Sequence, residues 1–262
     1  ACSLAPSLPG SVTEAKAADS ALSKTAYADK EQLKTGKSGN CDMTVKFGKN
    51  EKGTVASWYV LGSHNEIATD NTVIFATDIL KDNVKYDSYY DSVDTSVEYK
   101  TVDLSDDYTF INQYQSEIYA NAYGASELRK VVKAMAKDET FFSTVEQGMM
   151  NKMEVEMQPA NNSNEAYKFR DTLLLPMFRE QNVSVGITQN LYTRHSTNRY
   201  VDTSKIKLSG PIWTPMSTSP SNKMTVFVKS GENATNTIET NKTAGIVPIA
   251  DLNLTNVLFA SA

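Results

Sequence analysis

The last third of the chain carries the pattern that most restricts its fold. Residues 212–217 place Trp213 at the start of a turn rich in serine and proline, residues 224–228 alternate as a strand does, and residues 244–252 contain a Gly-x-x-Pro strand. Apolar residues that alternate between glycine, proline and serine clusters are typical of strands joined by turns. We therefore predict that this third closes a sheet and does not form a catalytic site.

The remaining segments place strands first, helices in the middle and strands last. Residues 43–48 and 56–61 flank a glycine-containing turn and predict a hairpin, which a third strand at 72–76 extends. A run with helical spacing begins at Ser126, and Ser143 with Glu146 has the spacing of a capping box. Residues 153–157 and 171–175 predict two more strands. This order predicts an α+β fold.

Three stretches carry weaker patterns. Residues 81–107 are rich in Asp, Tyr and Ser and are expected to form an irregular excursion, and residues 181–210 are expected to be rich in loops. The N-terminal stretch, from a capping-box spacing at Ser11 to Gly36, predicts a helix with a thin apolar face. We therefore divide the chain into an N-terminal helical arm, residues 1–40, and a single α+β domain, residues 41–262.

Composition excludes several classes of protein. The chain has 262 residues, of which 40% are hydrophobic and 22% charged, as in a globular protein. Its net charge of -5 argues against nucleic acid as a partner, because phosphate binding needs clustered lysine and arginine. No apolar run approaches the ~20 residues that a membrane-spanning helix needs.

The two cysteines, Cys2 and Cys41, point to a compartment outside the cytoplasm. Their spacing fits neither a zinc ribbon nor a redox motif. They could form a disulfide that ties the arm to the body, which would contribute roughly 3 kcal/mol. Alternatively, Cys2 could be the acylated residue of a lipoprotein. We favour the disulfide, and both alternatives predict an extracellular or cell-surface protein.

Six short segments, taken in order, resemble one family. That family is a domain of unknown function in secreted and surface proteins of gut Firmicutes, and its shape resembles the C-type-lectin and formylglycine-generating-enzyme fold. The resemblance implies a C-type-lectin-like mixed sheet with flanking helices after the arm. The matching segments are Phe47-Gly48, a Trp-x-Val-Leu at 58–61, a Ser-x-Leu-Arg at 126–129, an Asp-led strand at 171–175, a Trp-led turn at 213–217 and a Gly-x-x-Pro strand at 245–250.

Two arginines of the family pattern are replaced here, by Pro215 and Val247, so no site built on them is carried over. The cysteine pair of the formylglycine-generating enzymes lies near the end of that fold, whereas Cys2 and Cys41 lie at the beginning. The tail 252–262 resembles the end of modules in large surface proteins, where more sequence usually follows.

Residues suited to catalysis are few. His64 and His195 stand apart, and no Gly-x-Ser-x-Gly motif is present, so we expect no enzyme activity. The scattered histidines and cysteines do not supply a zinc site, and we expect no cofactor. Calcium would suit an acidic excursion, but no EF-hand spacing supports it. The acidic residues are Asp82, Asp87, Asp91, Asp94, Asp103, Asp106 and Asp107.

A ligand surface is the second hypothesis for the function. Tyrosine stacks on sugars and also provides contact area in protein interfaces at low entropic cost. We expect Trp58 and Trp213 to be core residues instead. The candidate binding residues, on the excursion and on a polar loop, are Tyr86, Tyr89, Tyr90, Tyr108, Arg194, His195 and Arg199.

The leading hypothesis is a non-catalytic structural or interaction module at the cell surface. Its N-terminal arm and apolar C-terminal strand could join neighbouring copies into a filament or surface array. The expected partner is a second copy or another surface protein. The alternative is an adhesin that binds a carbohydrate or another host ligand through the tyrosine-rich loops.

Overall fold

The computed structural model describes residues 27–36, 39, 42–65, 67–87, 100–101, 108–110, 117–118, 123–157, 167–179, 184–187, 199–202, 205–216, 224–228, 235–257 and 259–261. Helices and strands are mixed in these residues and strands predominate, which confirms the α+β prediction. No helix in these ranges is both long and apolar enough to cross a bilayer.

The elements follow in chain order. The helices are α1 (Lys30–Lys34), α2 (Glu127–Met135) and α3 (Thr144–Met149), with a 3-10 turn (Tyr123–Ala125) before α2. The strands are β1 (Tyr27–Asp29), β2 (Thr44–Lys49), β3 (Val55–Gly62), β4 (Asn71–Ala76), β5 (Lys81–Lys85), β6 (Lys100–Thr101), β7 (Tyr108–Phe110), β8 (Glu117–Ile118), β9 (Met153–Met157), β10 (Tyr167–Asp171), β11 (Leu173–Leu174), β12 (Met177–Arg179), β13 (Ser184–Ile187), β14 (Arg199–Asp202), β15 (Ile212–Trp213), β16 (Met224–Val228), β17 (Thr235–Glu239), β18 (Thr243–Ile246), β19 (Ile249–Asn253) and β20 (Phe259–Ser261).

Two five-stranded sheets form the body. The first has the order β11-β19-β4-β3-β2 and is antiparallel throughout. The second has the order β17-β16-β15-β18-β5 and contains one parallel pair, β15 with β18. Smaller sheets join β7-β10-β9, β12-β13-β14, β6-β8 and β1-β20. The first and last described strands therefore pair with each other.

The predicted hairpin and third strand are confirmed as β2, β3 and β4. Every residue of β4 is buried, as expected for a strand in the middle of a sheet that is covered on both faces. A bulge interrupts the pairing of β2 with β3 between Lys46 and Lys49. It needs Gly48, whose φ is +62° and whose Cβ, if present, would lie 2.6 Å from the ring of Phe142.

The predicted helix starts are also confirmed. The side chain of Ser126 accepts a hydrogen bond from the backbone N–H of Arg129 and caps α2. Ser143 and Glu146 form the reciprocal bonds of a capping box at α3. Both caps satisfy amide groups that the first turn of a helix leaves without partners.

Aromatic side chains fill the interior in two groups. Trp58 contacts Phe47 and Phe142 at ring-centroid distances of 6.1 and 6.3 Å. Trp213 contacts Tyr86 at 5.5 Å. Both tryptophans are fully buried, which confirms that they are core residues.

Three predicted segments differ from the structure. Residues 81–85 form strand β5 instead of irregular chain; only Val84 is buried there, so the apolar alternation of a strand is absent. Residues 181–210 contain β13 and β14. The segment 171–175 is buried at its leucines but is shared between the end of β10 and β11.

The predicted arm helix is wrong at residues 27–29, which form β1. Helix α1 begins at Lys30, where Asp29 caps it and forms a capping box with Gln32. Residues 1–26, with the predicted start at Ser11, lie outside the described residues.

Candidate interaction site at the chain termini

The two ends of the described chain meet in one place, which we call the terminal seam: β1, α1, β20 and the body residues that hold them. Strands β1 and β20 pair antiparallel in the register Tyr27 to Ser261, Ala28 to Ala260 and Asp29 to Phe259. The pairing makes a sheet of two short strands, and such a sheet is only marginally stable without further packing. Contacts of α1 with the body therefore have to hold the seam together.

Helix α1 is held through its apolar side chain and its backbone. Leu33 is buried in the core. Its carbonyl oxygen accepts a hydrogen bond from the Thr72 hydroxyl at 2.7 Å, and the carbonyl of Lys34 accepts one from the Ser63 amide at 2.9 Å. These bonds satisfy carbonyl groups near the C-terminal end of a short helix.

Glycines allow the chain to leave α1 against the end of β3. Gly62 has a φ of +85°, and a Cβ there would lie 2.3 Å from the carbonyl oxygen of Gly36. Close backbone approach of this kind is possible only for glycine. The exit from α1 is therefore fixed by shape as well as by hydrogen bonds.

An acidic residue beside β4 supplies the electrostatic part of the seam. The carboxylate of Asp70 binds the ammonium groups of Lys30 and Lys34, the second at 3.3 Å. The hydrogen bond from Lys30, followed by that from Lys34, holds the pKa of Asp70 below its ordinary value. Because these groups are partly exposed, we expect the pairs to contribute at most about 1 kcal/mol.

The same residue also touches the C-terminal side of the seam. The carbonyl oxygen of Asp70 accepts a hydrogen bond from the Leu254 amide at 2.8 Å. Leu254 and Val257, which lead from β19 to β20, are buried in the core. Asp70 thus links both ends of the described chain to the first five-stranded sheet.

The predicted ligand-binding residues do not come together in the described part of the chain. The expectation that Tyr86 lies on a binding surface is not met: its side chain is fully buried between Tyr123 and Trp213, because β5 carries it into the core. Tyr108 lies in β7, opposite Phe169 of β10. The other candidates on the excursion and the polar loop, Tyr89, Tyr90, Arg194 and His195, lie outside the described residues.

Arg199 belongs to the surroundings of the seam. Its guanidinium donates to the carbonyl oxygen of Ser63 through Nε at 2.9 Å and through Nη2. Burial lowers the pKa of Arg199. The Ser63 carbonyl oxygen therefore accepts hydrogen bonds from Arg199, and the Ser63 amide donates one to the Lys34 carbonyl of α1.

Of the acidic residues considered for calcium, Asp82 and Asp87 lie in the described ranges. Asp87 is buried, and its carboxylate accepts a hydrogen bond of 3.4 Å from the Glu127 amide at the start of α2. No group of three or more potential metal ligands is present in the ranges that the structure describes. Cys2 and Cys41 lie outside those ranges, so their disulfide stays a prediction.

The segments quoted for the family resemblance lie in the interior and join elements to one another. Nε1 of Trp58 donates to the Phe47 carbonyl at 2.7 Å, and Nε1 of Trp213 donates to the Val84 carbonyl at 2.6 Å. Arg129 binds Asp171 in a buried bidentate pair. Sequence reasoning picked out these residues but missed the pairing, since 42 residues separate the last two.

In comparisons with protein-family models, with curated proteins and with solved structures, no match to this chain is found. The resemblance based on short motifs therefore stays a prediction.

Proposed function

We propose that this chain is a non-catalytic structural and interaction module that acts at a cell surface and joins further copies of itself through the terminal seam. The pairing of β1 with β20 is the observation that supports the proposal. It brings together the two segments for which the sequence predicts assembly. A strand pair that closes one copy can also be formed between two copies, with the same hydrogen bonds.

The segment 27–36 is the element that would move. Its contacts with the body include Leu33, the two lysines on Asp70, the hydrogen bonds to the Leu33 and Lys34 carbonyls and the strand pair, and residues 37–43 connect it to β2. Reciprocal exchange of this segment would give a dimer, whereas exchange in one direction would give an open filament.

The finer fold and the location are part of the same proposal. A C-type-lectin-like body rests on the motif resemblance, and an extracellular location rests on Cys2 and Cys41. Mass spectrometry of the native protein under non-reducing conditions would identify either a disulfide or an acyl group on Cys2. A reduced, unmodified Cys2 in the native protein would argue against this location.

Covalent trapping tests the exchange. Ala28→Cys with Ala260→Cys, made with Cys2 and Cys41 replaced by serine, places two thiols directly opposite across β1 and β20. Opposed residues in antiparallel strands have Cα separations compatible with a disulfide. If copies exchange strands, oxidation should give a ladder of covalent oligomers on a non-reducing gel, and light scattering should give a mass above that of one chain.

A matched control uses the hairpin. Lys46 and Ser57 are opposite each other in β2 and β3, and a cysteine pair there should bridge only within one copy. A seam pair that also gives only monomers, at all protein concentrations, would overturn self-assembly through the termini.

The glycan-binding alternative stays a prediction. It depends mainly on Tyr89, Tyr90, Arg194 and His195. A glycan array, probed with and without calcium, tests it independently of the trapping experiment.

A further inference from the structure

A buried carboxylic acid lies in the first five-stranded sheet, on a strand next to the central one. Asp251 of β19 is fully buried. Its Oδ2 accepts a hydrogen bond from Nδ2 of Asn71, and its Oδ1 accepts one from Nδ2 of Asn151, both at 2.5 Å. Its backbone carbonyl accepts a third, from the Asn151 amide, at 2.8 Å. One residue thus connects β19 with β4 and with the segment between α3 and β9.

The orientation of Asn71 is fixed by its neighbours. Its Oδ1 accepts from the His64 amide at 3.2 Å, and its Nδ2 also donates to the His64 carbonyl at 3.1 Å. The N–H side of the amide must therefore point at Asp251. The carboxyl group receives neutral donors at both oxygens.

Two other acidic groups on the elements packed against Asp251 are paired with cations. Asp70 binds the lysines of α1, and Asp171 binds Arg129. Lys152 and Glu154, on the Asn151 side, are exposed, whereas His64 is buried beside Asn71. Burial raises the pKa of Asp251 to about 7, although the hydrogen bonds from Asn151 and Asn71 oppose that rise. A buried carboxylate with only neutral donors is costly to ionise.

We propose that the hydrogen bonds between Asp251 and Asn151 form a pH-sensitive link, which we call the tie, between strand β19 and the segment at Asn151. In mild acid the carboxyl is protonated and the tie is closed. As the pH rises, ionisation strengthens the two hydrogen bonds, but the desolvation cost of the buried charge is larger, and it favours states in which Asn151 moves away and water reaches the carboxylate. The tie also holds the bridge between Met150 and Leu252, so its opening frees the segment between α3 and β9. It operates whether or not copies assemble.

The pH window follows from linkage. In the closed state the pKa of Asp251 is about 7, and water that reaches the carboxylate in the opened state lowers this pKa towards the ordinary value of 3.8. The opening equilibrium therefore increases by up to about tenfold per pH unit between these two values and is constant above the higher one. Local openings of this kind are measured by amide hydrogen exchange.

Hydrogen exchange of the Asn151 amide, corrected for its intrinsic rate, tests the tie. Between pH 5 and pH 7 we expect its protection to fall by at least about tenfold in the wild type and then to level off. Asp251→Asn should remove this dependence, whereas His64→Asn should keep it. The Lys137 amide, bonded to Ala134 at the end of α2, should show no change.

Three results would overturn the proposal. They are constant protection of Asn151 in the wild type, an undiminished pH dependence in Asp251→Asn, or loss of the dependence in His64→Asn alone. If Asp251→Asn does not fold, the carboxyl carbon shift of Asp251 in the wild type decides: a midpoint near neutral pH supports the tie, and a midpoint below about 5 refutes it.

Discussion

Replacing Arg129 with methionine should lower the free energy of unfolding by about 3–5 kcal/mol, because it leaves the buried carboxylate of Asp171 without its cation. The guanidinium binds Asp171 through Nε at 2.8 Å and Nη2 at 2.9 Å, and the two side chains are only 5% and 1% exposed. It also donates to the Gly124 carbonyl at 3.0 Å and lies 4.7 Å from the ring centroid of Phe169.

The double variant Arg129→Met with Asp171→Leu tests whether the ion pair itself stabilises the fold or whether the single variants are unstable because one buried charge is left unpaired. Replacing a buried ion pair with apolar residues of similar volume is often neutral or stabilising. The lost bond to Gly124 leaves one buried carbonyl unsatisfied, at about 1–3 kcal/mol. The double variant should therefore be more stable than either single variant, even though it removes more polar groups.

Arg129→Lys is the matched control, because it keeps the charge and loses the two-pronged geometry. It should fall between the wild type and Arg129→Met. Urea denaturation followed by the fluorescence of Trp58 and Trp213 gives the free energies, provided that the denaturant slope is the same for each variant. Single-variant costs below about 1 kcal/mol, or costs that simply add in the double variant, would refute the reasoning.

In urea titrations of the wild type, the free energy of unfolding should fall by about 4 kcal/mol as the pH rises from about 4 to 7, because Asp251 ionises while buried. This value is the difference between a pKa of 3.8 and one of about 7, at about 1.4 kcal/mol per pH unit. Asp251→Asn should lack this loss. Asp70→Asn should weaken docking of α1 by at most about 1 kcal/mol, measured by hydrogen exchange of the Thr35 amide, and an equal effect at 1 M salt would contradict this. Because the pKa of Asp70 is lowered, docking of α1 in the wild type should also weaken as the pH falls below 3.8. Trp213→Phe should cost about 2–4 kcal/mol in urea, since the Val84 carbonyl loses its donor; a cost below 1 kcal/mol would argue against that bond.

Local patterns in the sequence predicted local structure well. The hairpin of β2 and β3 follows from alternation around a glycine turn, and the caps at Ser126 and Ser143 follow from side chains that bond amides three residues away. Strand β5 was missed because Val84 is its only buried residue. A polar strand next to a single neighbour does not need the apolar alternation that reveals central strands.

The contacts that define the sites join distant parts of the chain. Asp251 and Asn71 are 180 residues apart, and Asp251 and Asn151 are 100 apart. Neither spacing has a local signature, so one sequence alone could not place these residues together. The seam differs in part: its strands were expected to act in assembly, but their pairing with each other depends on the path of the whole chain.

The size of the seam decides how exchange would be regulated. Three residue pairs in β1 and β20 cannot hold two copies together unaided, so assembly must also transfer Leu33 and the lysines that bind Asp70. Because the same contacts form within a copy and between copies, their energies cancel, and the protein concentration together with the length of the connection 37–43 sets the balance. Shortening that connection should therefore favour assembly, whereas Leu33→Ala should weaken docking equally in the monomer and in the oligomer. The mass of the variants with a shorter connection is measured by light scattering. A mass that stays the same as in the wild type at every protein concentration would contradict this account.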